Sequence, residues 1–192
     1  MLDDSLYARR VSPLDGATKP ASLPGGVSVR QLKPEARFSL RIKAGGPSEV
    51  AGFALDQRIN SVVVRGGRWS ARLGPDEWLV GGPEADAQLI ADEVEAALKD
   101  RPHSLVSVSH RNVSLEISGA QAAIALNAGC PLDLSDAAFP AGSATRTLLG
   151  KCEIVLIRAG AEPSYRVEVW RSFATYAHGF LIEAAHGLQN AA

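Results

Sequence analysis

The two cysteines, Cys130 and Cys152, are the residues of this chain with the most reactive side chains. A cysteine acts as a nucleophile when a neighbouring base or a helix N-terminus lowers its pKa. Cys152 begins the apolar run CEIVLIR, where alternation places it on the same strand face as Ile154 and Leu156. We therefore predict that Cys152 is a buried strand residue rather than a nucleophile or a ligand. Cys130, at the predicted exit of a helix, is also expected to be structural.

The histidines and carboxylates form no recognisable metal or acid–base site. Metal ligands cluster at short spacings, whereas His178 and His186 lie eight residues apart without the set of acids or cysteines that would complete a site. Asp76 and Glu77 are adjacent, and we predict a solvated turn there with Trp78 in the core. The sequence contains no nucleophile elbow, Walker loop or dinucleotide fingerprint. It therefore predicts no catalytic residue, no cofactor-binding residue and no metal ligand in this chain.

Four side chains are candidates for contact with a partner protein: His110, Arg111, Trp69 and Trp170. His110 and Arg111 belong to the stretch SHRN, which joins two predicted strands where the apolar pattern breaks. Both a solvated connection and an anion or subunit contact fit that position. Tryptophan and arginine are enriched among the residues that dominate the energy of protein interfaces, although a tryptophan is more often part of a core.

The composition excludes several classes of protein. A net charge of −1 argues against a nucleic-acid-binding protein, which normally has a basic excess. No apolar run reaches the roughly 18 residues of a membrane span, and the segment MLDDSLYARR lacks the apolar stretch of a secretory signal. The two cysteines form at most one disulfide, which a chain of 192 residues does not need. We therefore expect a cytoplasmic protein with reduced thiols.

Periodicity along the chain predicts the elements that position these residues. The stretches RFSLRIKA and SYRVEVWRS alternate apolar and polar residues, as half-buried strands do. The clearest helix is at 83–102, with acids near its start and bases near its end. The residues of its predicted apolar stripe are Leu89, Ile90, Val94, Ala97 and Leu98. A short helix is predicted at 46–55 and a longer one at 172–187.

Strands in hairpin pairs with helices packed on them predict an α+β fold of mainly antiparallel sheet. Each half of the chain runs strand, short helix, strands and a longer amphipathic helix. We therefore predict two similar lobes, residues 37–103 and 104–192, which together form one compact folding unit. Residues 1–36 contain several prolines and glycines and are predicted to be an extended N-terminal arm, either a partly ordered tail or a docking element.

Three stretches, in this order, give the chain a family resemblance: LGPDEWLVGGP, then GAQAAIALNAGCPLDLSD with the Thr-Arg-Thr strand after it, then YRVEVWRSFATYAHGFLIEAA. The arrangement resembles the γ subunit of heterotetrameric sarcosine oxidase over roughly residues 28–187. That family is similar in fold to the folate-binding module of the glycine-cleavage T-protein. The resemblance therefore implies the folate-binding aminomethyltransferase module as the fold of this chain.

The resemblance also implies a function, that of a non-catalytic accessory subunit. The sarcosine oxidase complex has α, β, γ and δ subunits; it oxidatively demethylates sarcosine to glycine, produces hydrogen peroxide and passes the one-carbon unit to tetrahydrofolate. The family places FAD, FMN, NAD and tetrahydrofolate in the α and β subunits and zinc in δ, so none of these groups is expected in this chain. The expected partners are the α, β and δ subunits, chiefly α, with neither nucleic acid nor a membrane.

Two other functions stay open. A stand-alone tetrahydrofolate-dependent aminomethyltransferase-like enzyme needs a deep pocket with a carboxylate and aromatic walls, and no acid of this chain matches the folate motif of that family. A γ-like subunit of an N-methylglutamate dehydrogenase complex has the same architecture. The sequence of a γ subunit cannot show which amine the complex oxidises, because this subunit does not hold the amine. The sequence also leaves open whether a relict folate site persists.

Overall fold

The computed structural model describes residues 11–15, 23–43 and 45–188. The strands are β1 (Ser28–Gln31), β2 (Glu35–Ile42), β3 (Glu49–Val50), β4 (Phe53–Ala54), β5 (Ser61–Arg65), β6 (Arg68–Arg72), β7 (Glu77–Pro83), β8 (His103–Ser107), β9 (Asn112–Ser118), β10 (Ser143–Leu149), β11 (Cys152–Arg158) and β12 (Ser164–Trp170). The helices are α1 (Ala87–Leu98), α2 (Ala122–Asn127) and α3 (Ala174–Gly187). None of these three helices combines the length and the apolar composition that a membrane span requires.

Ten strands form one antiparallel sheet in the order β1-β9-β12-β11-β10-β5-β6-β7-β2-β8. β3 and β4 form a separate two-stranded hairpin. The large sheet consists of two five-stranded halves that meet at β10 and β5. A single residue pair, Ser143 with Ser61, is in register at this junction, so further contacts are needed to hold the halves together.

The two halves repeat one layout of strands. One half has the order β5-β6-β7-β2-β8, with α1 following β7 in the chain, and the other has the order β10-β11-β12-β9-β1, with α3 following β12. β8 follows α1 and pairs with β2, whereas β1, which takes the corresponding place beside β9, comes from the N-terminal segment. The predicted α+β class, the antiparallel sheet and the similarity of the two halves are confirmed.

The observed strands bear on the predicted boundaries. Ser28–Gln31, inside the segment predicted to be an extended arm, form β1, and Val29 in this strand is buried. The predicted boundary between the lobes falls at the start of β8, a strand that pairs with β2 and so lies with the first half. Residues 1–10 and 16–22 of the predicted arm lie outside the described residues. The division into an arm and two lobes stays a prediction.

The sheet curls into a half-barrel with an outer face under the helices and an inner face between its two halves. Side chains alternate between these faces along β11. Cys152, Ile154 and Leu156 pack with α2 and α3, whereas Val155 and Ile157 belong to the inner core. The inner core draws on both halves and contains Val62, Trp69, Ala71, Leu79, Val108, Ala144, Val155 and Ile157. A third core lies between α1 and the first half.

The segment 46–55, which the sequence predicts to be a short helix, contains the β3–β4 hairpin instead. The two residues of its turn, Ala51 and Gly52, have φ of 48° and 76°. Consecutive positive φ angles belong to the tight turns that suit the twist of a hairpin, and a right-handed helix does not contain them. Val50 and Phe53 are buried on either side of the turn, so their three-residue spacing reflects a hairpin and not a helix.

The two longer helices lie where the sequence predicts them, but the buried face of α1 is narrower than predicted. Ile90, Val94 and Leu98 are buried as expected. Leu89, which the predicted stripe includes, is 51% exposed, and Ala97 is exposed as well. α1 therefore packs on the sheet through a single row of fully buried side chains, at positions 90, 94 and 98.

Candidate functional site

A buried cluster of charged residues lies on the inner face, where the two halves of the sheet approach each other. Glu168 of β12 is 2% exposed and accepts a hydrogen bond of 2.8 Å from Nε of Arg37 of β2, which is 1% exposed. Nε of Arg166 donates to the other carboxylate oxygen at 2.7 Å. Ser114 of β9 donates to Glu168 and accepts from both arginines. Arg166 also pairs with Glu35 of β2. We call these five residues the inner ion cluster.

Mutual pairing keeps the inner ion cluster charged. Burial alone raises the pKa of Glu168, but the charges of Arg166 and Arg37 and the hydrogen bond from Ser114 outweigh it and hold that pKa below its ordinary value of 4.5. A buried charge is tolerated only when it is paired and its remaining hydrogen bonds are satisfied. Since the cluster joins β2 to β9 and β12, it supplies a contact between the halves that the β10–β5 junction lacks.

Trp69, a predicted partner contact, lies beside this cluster and is only 6% exposed. Its Nε1 donates to Oε2 of Glu35 at 3.0 Å, and the guanidinium of Arg166 lies 4.5 Å from its ring centroid. Gly81 faces the ring from β7, where an added Cβ would lie 2.5 Å from it. An indole ring enclosed in this way has little surface to offer, which weighs against a direct contact with a partner.

Both cysteines are free and buried, in agreement with the structural role predicted for them. The thiol of Cys152 donates to the carbonyl of Leu149 at 3.2 Å, and burial raises its pKa. Little thiolate is present at neutral pH in such a thiol, so it is a poor nucleophile. Sγ of Cys130 lies 3.8 Å from Oγ1 of Thr147. Across residues 11–15, 23–43 and 45–188, no group of three or more His, Cys, Asp or Glu side chains could hold a metal ion.

Glu77 lies in the cleft between the two halves and binds arginines from each. Arg146 of β10 donates two hydrogen bonds to it, one of them 3.0 Å long, and Arg41 of β2 donates a third at 3.0 Å. The hydrogen bond from Arg146 is the main reason that the pKa of Glu77 lies below its ordinary value, with the charges of Arg41 and Arg111 acting in the same direction. The cleft has a volume of only about 120 Å³. Part of its wall is formed by the paired charges of Glu77 and Arg146.

Three of the four predicted partner contacts line one open depression on the surface. The depression is lined by Pro13, His110, Arg111, Trp170, Arg171, Ser172 and Thr175. Trp170 ends β12 and pairs with Asn112 at the start of β9, so the turn that carries His110 and Arg111 lies beside it. Trp170 is 46% exposed, and the guanidinium of Arg111 lies 5.9 Å from its ring centroid. We call this surface the Trp170 depression; its role as a partner contact stays a prediction.

Sequence reasoning missed the inner ion cluster and Arg171. Arg37 and Glu168 stand at alternating positions of amphipathic strands, where charged residues normally face water. Their pairing across a curled sheet leaves no local signal, because they are far apart in sequence. Arg171 could have been found, since it directly follows a tryptophan already singled out as a candidate contact.

The half-barrel with two repeated halves is a fold that this chain shares with a solved aminomethyltransferase. The glycine cleavage system aminomethyltransferase T from Bartonella henselae superposes with a TM-score of 0.62 over 86% of this chain and 50% of that chain, at 12% sequence identity. An identity this low establishes the fold and carries nothing about chemistry.

Sequence comparisons assign the chain within that fold. The model of the "Sarcosine oxidase, gamma subunit family" matches residues 48–187. The sarcosine oxidase subunit gamma of Corynebacterium sp. (strain P-1) is 33% identical over 171 residues, which cover 85% of this chain and 82% of that protein. The subunit of the same name from Arthrobacter sp. is 30% identical over 167 residues, with coverage of 84% and 81%. The chain belongs to the sarcosine oxidase γ subunit family.

A solved structure agrees with this assignment. A chain of the heterotetrameric sarcosine oxidase from Corynebacterium sp. U-96, in complex with pyrrole 2-carboxylate, superposes with a TM-score of 0.82 at 27% identity. The match covers 93% of this chain and 96% of that one. The two chains therefore share one architecture along nearly their whole lengths.

Proposed function

We propose that this chain is the accessory γ subunit of a heterotetrameric sarcosine oxidase and that it contributes structure rather than catalysis. The observation that carries the proposal is the match to a chain of that complex over 93% of this chain and 96% of the other, with a TM-score of 0.82. The complex oxidatively demethylates sarcosine to glycine and forms hydrogen peroxide and 5,10-methylenetetrahydrofolate. Family membership supports the same assignment.

The contacts of the ionisable residues support a structural role. Glu168 is held by Arg37 and Arg166, and Glu77 is held by Arg146 and Arg41. Cys130 and Cys152 are buried within the core under α2 and α3. A catalytic acid, base or nucleophile must reach its substrate; these groups instead bind one another or pack in a core.

The division of labour follows from the same proposal. FAD, FMN, NAD, tetrahydrofolate and zinc are held by the α, β and δ subunits, and this chain docks chiefly on α, in the cytoplasm. The Trp170 depression is the docking surface that the predicted contacts favour, because it unites His110, Arg111 and Trp170 on one exposed patch.

Co-expression with the products of the neighbouring genes tests the proposal. Affinity capture through a tag on this chain should yield three further subunits, identified by mass spectrometry, with bound flavin and sarcosine-dependent peroxide formation. N-methylglutamate is the control substrate. If the complex oxidises N-methylglutamate and not sarcosine, the chain is instead a γ-like subunit of an N-methylglutamate dehydrogenase complex. A chain that emerges alone and binds tetrahydrofolate would contradict the proposal and favour a stand-alone aminomethyltransferase-like enzyme.

A further inference from the structure

We infer that the Trp170 depression is the docking surface for an acidic segment of a partner subunit. The inference rests on the proposed function and adds the chemistry of the partner. The depression has a volume of about 620 Å³ and is open to solvent. It can therefore receive several side chains of a polypeptide, whereas the cleft at Glu77, with about 120 Å³, cannot.

The charges that line the Trp170 depression have one sign. Arg111 and Arg171 are its charged residues, and no carboxylate lines it. The chain as a whole is balanced, with 20 lysines and arginines against 21 aspartates and glutamates. Grouped cations on a balanced chain produce a local positive potential, and complementary potential across an interface selects a partner of the opposite sign.

Neither arginine of the depression forms a direct ion pair with a carboxylate of the described residues; the charge of Arg111 acts on Glu77 only from a distance. Arg111 bonds the side chain of Asn112 at 3.1 Å and stacks over Trp170, and Arg171 bonds the backbone carbonyl of Val11. Eight other arginines of the described chain pair with carboxylates: Arg30, Arg37, Arg41, Arg65, Arg68, Arg146, Arg158 and Arg166. A guanidinium has five N–H donors, so Arg111 and Arg171 both retain donors for a carboxylate.

The exposed side chain of Trp170 favours a polypeptide over a small anion as the ligand of the depression. Trp170 forms part of the wall and is 46% exposed. Aromatic and arginine side chains together form the centres of protein interfaces. The segment that fits therefore carries carboxylates next to an apolar side chain.

A competition experiment on the intact captured complex tests the inference. Labelled wild-type chain in the complex is displaced by unlabelled variants of known thermal stability. Arg111→Glu combined with Arg171→Glu should compete roughly tenfold to a hundredfold less well than wild type. The matched control is Arg58→Glu with Arg101→Glu, because these exposed arginines have no carboxylate partner among the described residues and lie outside the depression. The control should compete as well as wild type.

Two further measurements keep the test decisive. His110→Glu adds an acid to the depression without touching either guanidinium, so it should weaken competition even if the double variant fails to fold. Raising the salt concentration should weaken binding of the wild-type chain more than binding of the charge-reversed chain.

The outcomes separate the inference from the proposed function. If the wild-type chain enters no complex, both fail. If the wild-type chain enters the complex and the folded variants of the depression compete like wild type at every salt concentration, the inference fails and the proposed function stands. Equal losses in the control and in the depression would also overturn the inference, because the effect would then come from net charge alone.

Discussion

Glu168 is a carboxylate with almost no contact with solvent, held between two arginines from different strands. Arg37 comes from one half of the sheet and Arg166 from the other, and Ser114 satisfies the remaining hydrogen bonds. The charge is stable inside the protein because Arg37 and Arg166 compensate it. At the scale of single residues, this group connects the two halves of the sheet by direct hydrogen bonds.

Replacement of Glu168 should therefore lower the free energy of unfolding more than replacement of an exposed carboxylate does. Glu168→Gln leaves the buried guanidinium of Arg37 without its carboxylate and leaves Arg166 with Glu35 alone, so the free energy of unfolding of the full chain should fall by about 3–5 kcal/mol. Glu49→Gln is the control, because the Glu49–Arg65 pair is more than half exposed on both sides, and it should cost less than about 1 kcal/mol. Urea denaturation measures both; a loss for Glu168→Gln no larger than that of the control would refute the role of the inner ion cluster.

The same residue makes a prediction about pH. The pKa of Glu168 is lower in the folded chain than its ordinary value of 4.5, so the unfolded chain binds the extra proton. The stabilisation by Glu168 is complete above the unfolded-state pKa and is lost as the pH falls through the folded-state pKa. The difference in unfolding free energy between wild type and Glu168→Gln should thus be constant near neutral pH and shrink below pH 4.5. A difference that stays constant into acid would contradict this assignment.

The cysteines make a prediction about reactivity. Both thiols are buried, and burial raises the pKa of Cys152. Neither should react with a thiol-specific disulfide reagent in the folded chain at neutral pH, and both should react on unfolding in denaturant. Rapid reaction of the Cys152 thiol in the native protein would support the alternative interpretation, that Cys152 is a nucleophile. Cys152→Ala in the assembled complex should then also abolish peroxide formation, whereas our account expects it to leave that activity intact.

At the scale of elements, the sequence predicted most strands and helices whose apolar residues recur at a regular spacing. It missed the elements that depend on tertiary contacts. The strands at 35–42 and 164–170 and the helices at 87–98 and 174–187 follow from alternation and amphipathic spacing. The hairpin at 46–55 was beyond that reasoning, because a non-glycine residue, Ala51, takes a positive φ there. β1 was beyond it as well, since a four-residue strand in a proline-rich segment has no neighbour in sequence to pair with.

The same limit applies to the candidate site. His110, Arg111 and Trp170 could be chosen by residue type and by their position at the ends of strands, and the structure brings these three together. Trp69 has the same residue type as Trp170, but it stands within a strand and faces the inside of the curl. Which face of a strand lies inside depends on the closure of the sheet, which no local pattern encodes.

The place of β1 in the sheet can be tested through Gly119. Gly119 follows β9 at φ +115°, and a Cβ added there would lie 1.9 Å from the carbonyl oxygen of Gly26, just before β1. Gly119→Ala should lower the free energy of unfolding by roughly 2–4 kcal/mol, since strain and a clash with backbone add together. Gly66→Ala is the matched control, with a positive φ but nothing within 4 Å, and should cost roughly 1–2 kcal/mol. Equal costs would show that the segment of Gly26 does not press on β9.

At the scale of the whole molecule, one open sheet buries both of its faces. The helices cover the outer face, and the curl covers the inner face with the other half of the sheet. Contacts with other chains must then use the remaining surface, and the Trp170 depression combines two arginines with an exposed tryptophan there. This arrangement fits the docking role that we propose for that surface.

Native mass spectrometry of the complex captured through this chain tests that account most directly. We expect one assembly of four different subunits, from which a flavin-free chain of 20.2 kDa is released while flavin stays with the remaining subunits. Capture of the 20.2 kDa chain alone, with no assembly in the spectrum, would contradict the account of a non-catalytic γ subunit. Flavin bound to the chain released from an assembly would contradict it as well.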